Sequence, residues 1–369
     1  MPSPTLFDPI RIDDIELATR LAMAPLTRNR APGQMPTALM AEYYAQRADP
    51  ATGAGLLITE ATPVSAMGHG YIDTPGIHEP AQVQAWKAVT RAVHARGGRI
   101  VMQLWHVGRI SHPSLLPGGA QPVSSTARAS GTRTLIDGGM ADCPPPRALT
   151  TEEVEAVVQQ FRQGALNAME AGFDGVQVHG ANGYLVDQFL RDSINDRSDR
   201  YGGSIDNRIR FLTEVMQAVA GAIGGGRTGL RLSPVTPSNG AGPDSDAQAL
   251  HTAALRALAP LKLAFLEVVE GATGGARDHA PFDYAALKRE FSGAWIANNG
   301  YTREMALAAV AEGHADMVSI GRPFIANPDL GRRLREGAAW NTPDRSTFYR
   351  GGAPGYTDYP LLDTAAAPA

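Results

Sequence analysis

His179, Asn182 and Tyr184 fall in the run His179-Gly180-Ala181-Asn182-Gly183-Tyr184. A lone histidine in such a place is more often structural than catalytic. Three polar groups this close make a stronger case. An imidazole and a carboxamide can both donate to one substrate oxygen, and a phenol can give up a proton beside it. Arg231 stands inside the apolar run Gly229-Leu230-Arg231-Leu232-Ser233, where a buried guanidinium needs a partner. Two readings stay open for it. One is a structural ion pair; the other is a fixed cation facing an electron-accepting ring, where it would stabilise developing negative charge. Gln103 is placed likewise in Val101-Met102-Gln103-Leu104, and its amide can both donate to and accept from a ring edge. Farther on stand Asn299-Gly300 and Gly321-Arg322. Either glycine alone reads as a turn. Two such loops, one of them next to an arginine, point to a phosphate group, which backbone N–H groups and a guanidinium bind together.

These residues are far apart in sequence, so the fold must gather them. Short apolar runs at 20–24, 56–59, 99–104, 175–179, 229–233, 264–268, 295–298 and 316–319 alternate with helical patterns. Such runs fit strands covered on both faces, as in parallel sheets. The clearest helix begins at Thr150-Thr151-Glu152-Glu153, a threonine cap with carboxylates in the first turn. Val154, Val157, Phe161, Ala165 and Ala168 follow at helical spacing, and Gly172 closes the segment. Segments 205–219, 246–258 and 303–312 behave similarly. Eight strands alternating with helices predict an α/β protein, a closed (β/α)8 barrel, over the alternative of an open doubly wound sheet. Barrel chemistry sits at the C-terminal ends of the strands, where all the residues above fall. Residues 8–16 alternate apolar and polar side chains, which predicts a small hairpin plugging the N-terminal mouth. Residues 105–149 are rich in Gly, Pro and Ser and show no clear helix, so a long excursion after the third strand is expected over the catalytic face. No linker or internal repeat divides the chain, and a single domain over 1–369 is expected.

Composition narrows the classes. The 369 residues carry 33 Lys and Arg against 37 Asp and Glu, a formal charge of -4. That balance gives no electrostatic footprint for nucleic acid or for an anionic membrane. The one cysteine, Cys143, allows neither an intramolecular disulfide, nor an all-cysteine zinc site, nor a four-cysteine iron–sulfur cluster. No metal site is expected. The first residues lack a basic region followed by an apolar run, and no stretch reads as a membrane span. A cytoplasmic protein, monomer or homodimer, is expected.

Seven stretches in order along nearly the whole chain carry a resemblance. They are Met23-Ala24-Pro25-Leu26-Thr27-Arg28, Gly70-Tyr71 with Thr74-Pro75-Gly76-Ile77, and Gln103-Leu104-Trp105-His106-Val107-Gly108-Arg109. His179 through Leu190 follows, then Asp199-Arg200-Tyr201-Gly202-Gly203-Ser204 with Asn207-Arg208. Gly321-Arg322-Pro323-Phe324-Ile325-Ala326-Asn327-Pro328-Asp329-Leu330 and Gly355-Tyr356-Thr357-Asp358-Tyr359-Pro360 complete the set. With these the chain resembles the Old Yellow Enzyme family of FMN-dependent oxidoreductases, in particular bacterial N-ethylmaleimide and pentaerythritol tetranitrate reductases.

The resemblance implies tightly bound, non-covalent FMN, with NADPH or NADH as hydride donor. It implies transfer through the flavin to the β-carbon of small alkenes activated by a carbonyl or nitro group, with a tyrosine protonating the α-carbon. By the same resemblance Pro25, Leu26 and Ala61 would line the flavin, and Thr27 would hydrogen-bond the carbonyl beside N5. Gln103 would bind the pyrimidine edge and Arg231 would face N1. Asn299, Gly300, Gly321 and Arg322 would hold the phosphate. His179 and Asn182 would bind the substrate oxygen, Tyr184 would be the proton donor, and Trp105 and Tyr349 would wall the pocket. Segments 105–149 and 271–279 would decide specificity. Some relatives carry cysteine where Thr27 stands, so thiol tuning of the flavin is not expected. The alternative is a flavin-binding or sensor protein with little turnover. Related FMN barrels fit less well: dienoyl-CoA reductases need an iron–sulfur cluster and further domains, and dihydrouridine synthases need a basic RNA-binding surface.

Overall fold

In the computed structural model, which describes residues 3–277 and 281–362, eight parallel strands close on themselves. They are β1 (Leu21–Met23), β2 (Leu56–Ile58), β3 (Arg99–Trp105), β4 (Gly175–Gly180), β5 (Thr228–Leu232), β6 (Phe265–Val269), β7 (Ala294–Asn298) and β8 (Met317–Ile320). Each pairs with the next, and β8 returns to β1 with Ile320 opposite Met23. The eight expected runs are the eight strands, and the sheet is a barrel and not open. The strands are covered by helices outside and by side chains inside, which is why they read as continuous apolar runs.

Helices fill the connections, among them Ala38–Gln46, Pro80–His94, Thr151–Glu170, Ala247–Leu258 and Arg303–Ala311. At Thr151–Glu170 the Thr150 hydroxyl accepts from the Glu153 N–H at 3.2 Å, and the Glu153 carboxylate accepts from the Thr150 N–H at 2.9 Å. This reciprocal pair satisfies two N–H groups the helix leaves open. Gly172, at φ +87°, ends it, and the Phe173 N–H turns back to the Ala168 carbonyl. The helix expected over 205–219 is two pieces, Ile205–Arg208 and Arg210–Ile223. Arg208 in the first turns inward, onto Asp244 and the Leu190 carbonyl.

The N-terminal mouth is plugged as the alternation predicts. Strands Ile10–Ile12 and Ile15–Leu17 pair antiparallel. Ile12, Ile15 and Leu17 pack with Ala22, Leu56, Ile58, Val101, Phe265, Ile296 and Met317 inside the barrel. The excursion over 105–149 holds more structure than its composition suggests. It contains the antiparallel hairpin Arg133–Ile136 and Gly139–Asp142. The Ile72 N–H donates to the Leu135 carbonyl and the Thr134 hydroxyl to that of Gly70, which ties the hairpin to the loop carrying Tyr71. Of the segment 271–279, Asp278 and His279 lie outside the described residues.

Candidate active site

Inward-facing residues alternate along each strand, so one step of two residues moves from the plug toward the opposite mouth. On β3 it leads from Val101 to Gln103 and then Trp105, and on β4 through Gln177 to His179. On β5 it leads from Gly229 to Arg231, on β6 from Phe265 to Glu267, on β7 from Ile296 to Asn298, and on β8 from Met317 to Ser319. At the C-terminal mouth these positions open into a cavity of about 1100 Å³. That exceeds the roughly 300–1000 Å³ of ordinary small-molecule pockets and leaves space for two ligands together. Pro25, Leu26, Thr27, Ala61, Gln103, Trp105, His179, Asn182, Tyr184, Arg231, Asn299, Gly300, Gly321, Arg322 and Tyr349 all line it.

One end of the cavity is made of backbone. The N–H groups of Asn299, Gly300, Gly321 and Arg322 have no acceptor among the described residues, and the exposed Arg322 side chain has no partner there either. The Asn299 side chain is already committed: its amide donates to the carbonyls of Glu270 and Ala272 at 2.6 and 2.9 Å and accepts from the Gly274 N–H at 2.9 Å. Only its main chain is free for a ligand. A β-carbon at Gly274, which sits at φ +71°, would come within 2.2 Å of the Arg322 guanidinium. Glycine there lets the arginine lie against the loop. Open donors and a free cation on a concave surface are the donor set an anionic phosphate requires.

The other end gathers aromatic and polar side chains. Trp105 stacks on Tyr71, with ring centres 5.7 Å apart and planes at 8°, and meets Tyr184 edge-on at 4.9 Å. His179 lies 5.2 Å from the Tyr184 ring, and its Nδ1 is buried without a partner. Burial, with Arg231 nearby, holds the His179 imidazole well below the usual histidine range, so it is neutral and offers one N–H. Asn182, at φ +59°, accepts from the Thr273 hydroxyl through Oδ1 at 2.7 Å, which leaves its NH₂ to donate. The Tyr184 hydroxyl is 3.0 Å from that of Tyr71. Burial pushes the Tyr184 phenol up; burial and then Tyr184 push Tyr71 well above the usual phenol range. Both are protonated at neutral pH.

The far wall comes from the end of the chain. Arg28 donates to the carbonyls of Phe348 (2.8 Å), Thr347 (3.3 Å) and Gly355 (2.8 Å). Arg30 donates to those of Gly352 (3.0 Å), Thr347 (2.9 Å), Phe348 (3.4 Å) and Pro354 (3.5 Å). The Tyr356 ring lies under both guanidiniums, at 5.1 and 4.4 Å. This clasp holds the half-exposed Tyr349 at the cavity rim, beside the Thr27 loop.

A family model described as NADH:flavin oxidoreductase / NADH oxidase matches residues 5–341. The chain belongs to this family, the Old Yellow Enzymes. It is 45% identical to 12-oxophytodienoate reductase 7 of Oryza sativa subsp. japonica over 377 residues, covering 97% of this chain and 94% of that protein. It is 42% identical to 12-oxophytodienoate reductase 2 of Arabidopsis thaliana, covering 99% and 97%. Among solved structures, morphinone reductase in complex with tetrahydroNAD superposes with a TM-score of 0.92 at 43% identity, covering 99% of this chain and 100% of that one. The old yellow enzyme homologue of Zymomonas mobilis gives 0.92 and 43%, covering 97% and 100%. The chain is thus an NAD(P)H-dependent flavin oxidoreductase that works with FMN. None of its described helices is long and apolar enough to cross a membrane.

Several residues around the oxidoreductase's cavity are not evident from its sequence. Tyr71 is among the matching stretches, but nothing in its neighbours says that it meets Tyr184. Gln177, Glu267 and Ser319 are buried beside Gln103, Arg231 and Asn298, paired with them across β3–β4, β5–β6 and β7–β8. The one available signal was an acid and an amide standing at the inward period of apolar strands. Arg231 makes the ion pair of its first reading, its Nε 2.9 Å from the Glu267 carboxylate, and it also lines the cavity.

Proposed function

We propose that this protein is an ene-reductase, a single barrel domain that reduces small alkenes bearing a carbonyl or nitro group at the expense of NADPH or NADH. The observation that carries the reading is the pairing of two unlike ends in one cavity: open backbone donors with Arg322 at one, and His179, Asn182 and Tyr184 at the other. The residues present fit FMN. The unpaired N–H groups of Asn299, Gly300, Gly321 and Arg322 and the Arg322 guanidinium would hold its phosphate. Pro25, Leu26 and Ala61 would line its ring, Thr27 and Gln103 would hydrogen-bond its edges, and Arg231 would favour the electron-rich reduced form.

When bound, FMN supplies hydride transfer between the nicotinamide and the alkene. The chain's own residues do the rest. Neutral His179 and Asn182 donate to the substrate's carbonyl or nitro oxygen, where charge develops. Trp105 and Tyr349 wall the substrate. Tyr184, kept protonated by burial, delivers a proton to the α-carbon as general acid. Tyr71, 3.0 Å away, steadies the oxygen left behind. The 12-oxophytodienoate and morphinone reductases named above support this substrate class by their names.

The purified protein should be yellow, bleach with NADPH under anaerobic conditions, and regain its colour when a simple enone is added. Colour that never returns with any enone or nitroalkene would favour a flavin-binding or sensor protein instead. A protein that cannot be loaded with FMN would overturn the reading.

A further inference from the structure

At the cavity floor the buried polar groups are wired in one direction. Ser319 Oγ donates to Glu267 Oε1 at 2.6 Å, and Gln177 Nε2 donates to Glu267 Oε2 at 2.9 Å. Arg231 Nε stands 2.9 Å from the same Oε2. Each of these partners is in turn tied to a residue of the cavity floor. Gln103 Nε2 donates to Gln177 Oε1 at 2.7 Å. Asn298 Nδ2 donates to Ser319 Oγ at 2.8 Å and receives from Arg231 through Oδ1 at 3.0 Å. Asn298 Nδ2 also donates to the Ser319 carbonyl at 3.1 Å; the side-chain-to-side-chain donations all lead to Glu267.

A carboxylate accepts and cannot donate. Glu267 therefore obliges Gln177 to present its NH₂, so Gln177 Oε1 must accept, so Gln103 must donate with Nε2. This leaves the Gln103 carbonyl oxygen, and the remaining N–H, for a ligand. On the other branch, Glu267 receives Ser319, which receives Asn298, whose oxygen then holds Arg231. The sense of an amide is assigned from such a network, and here the network has one fixed end. Glu267 is fully buried and does not line the cavity, whereas Arg231 does. The carboxylate stands behind the guanidinium and offsets its charge in a low-dielectric interior, where such pairs are felt strongly.

We propose that Glu267 is a positioning residue for the flavin site: it fixes the guanidinium of Arg231 and the amide sense of Gln103, and sets how much positive charge the flavin ring feels. The proposal rests on the reading that Arg231 and Gln103 meet FMN. Replacing the carboxylate with an amide removes the counter-charge, so the reduced, electron-rich flavin becomes easier to form.

The test is a cycle of Glu267→Gln, Arg231→Gln and the double variant, each loaded with FMN. The FMN dissociation constant and the midpoint potential, equilibrated against a reference dye, are read for all four proteins. Glu267→Gln should favour reduction about tenfold, an upward shift of about 30 mV for the two-electron couple. In the Arg231→Gln background the same change should shift the potential by less than a third of that, because the two groups act as a unit. Equal shifts in both backgrounds, or none in either, would overturn the proposal. Removing one partner of a buried pair is destabilising, and Glu267→Gln could fail to fold. Glu267→Asp, which keeps the charge but withdraws it by one methylene, then serves in its place. It should shift the potential in the same direction, and an unmoved potential overturns the proposal. Failure of the underlying reading looks different: Arg231→Gln alone would leave both potential and FMN affinity at parent values.

Discussion

The two mouths of the barrel are built from the same eight strands and have opposite characters. At the N-terminal mouth Val101, Phe265, Ile296 and Met317 close on Ile12, Ile15 and Leu17 of the plug, all of them almost wholly buried and apolar. Two residues farther along the same strands stand Gln103, Glu267, Asn298 and Ser319, just as buried and all polar. Gly229 and Arg231 on β5 mark the change most sharply. A β-carbon at Gly229 would lie 2.2 Å from the Phe265 ring, which fills that space, while Arg231 reaches the cavity. The first layer holds the barrel together by burial. The second departs from apolar packing and must be justified by the hydrogen bonds it makes among its own members and by what it presents to a ligand. A single turn of strand pleat therefore separates the part of the interior that confers stability from the part that confers chemistry.

If that division is right, changes at the two mouths should separate cleanly. Tyr184→Phe, at the open mouth, should lower oxidation of the reduced flavin by a simple enone about 10²–10⁴-fold, the usual worth of a positioned general acid. FMN binding, reduction by NADPH and the melting temperature should hold. A nitroalkene should still be turned over, because hydride addition gives a nitronate stable enough to leave unprotonated. Stopped-flow traces with equal losses for both substrates would remove Tyr184 as the acid. Ile15→Ala, at the plugged mouth, should cost about 2–5 kcal/mol of unfolding free energy by the cavity it leaves. Denaturant titration reads that loss, while turnover per folded molecule and FMN affinity should stay at parent values. A plug variant that loses activity without losing stability would break the comparison. Arg322→Ala should weaken FMN binding by about 10–150-fold, or about 1.5–3 kcal/mol for one charge-assisted contact. Relative rates among alkenes should not change. Equal FMN dissociation constants in parent and variant would move the phosphate elsewhere.

The barrel was legible because its strands are buried on both faces, so that runs such as Leu56–Ile58 and Met317–Ile320 need no partner to be recognised. The plug was legible for the opposite reason: a half-buried hairpin alternates. The cavity lining could be anticipated because barrel closure sends strand ends to one rim, whatever their separation in sequence. The polar layer could not. Whether Glu267 or Leu266 faces inward depends on how β6 is staggered against β5 and β7, and stagger is a property of the closed sheet. The hairpin Arg133–Ile136 and Gly139–Asp142 was missed although Asp137-Gly138 between them is a dipeptide that favours two-residue hairpin connections. Its strands are too polar to stand out from the loop around them. The spent side chain of Asn299 was also beyond reach, since its partners lie in the 270–274 loop.

The clasp of Arg28 and Arg30 on residues 347–355 has a consequence for how the enzyme comes into being. Their acceptors lie some 320 positions downstream. While the chain is still being synthesised, eight strands can pair in order as they emerge, yet the wall carrying Tyr349 does not exist until the ribosome has passed residue 355. Two guanidiniums that finish in the interior must wait, hydrated, through nearly the whole of translation. Contacts of such long range are slow to form. Barrel closure itself waits for β8 to reach β1, and the clasp waits longer still, so a messenger truncated shortly before codon 347 should yield a barrel whose cavity lacks the wall that Arg28 and Arg30 hold.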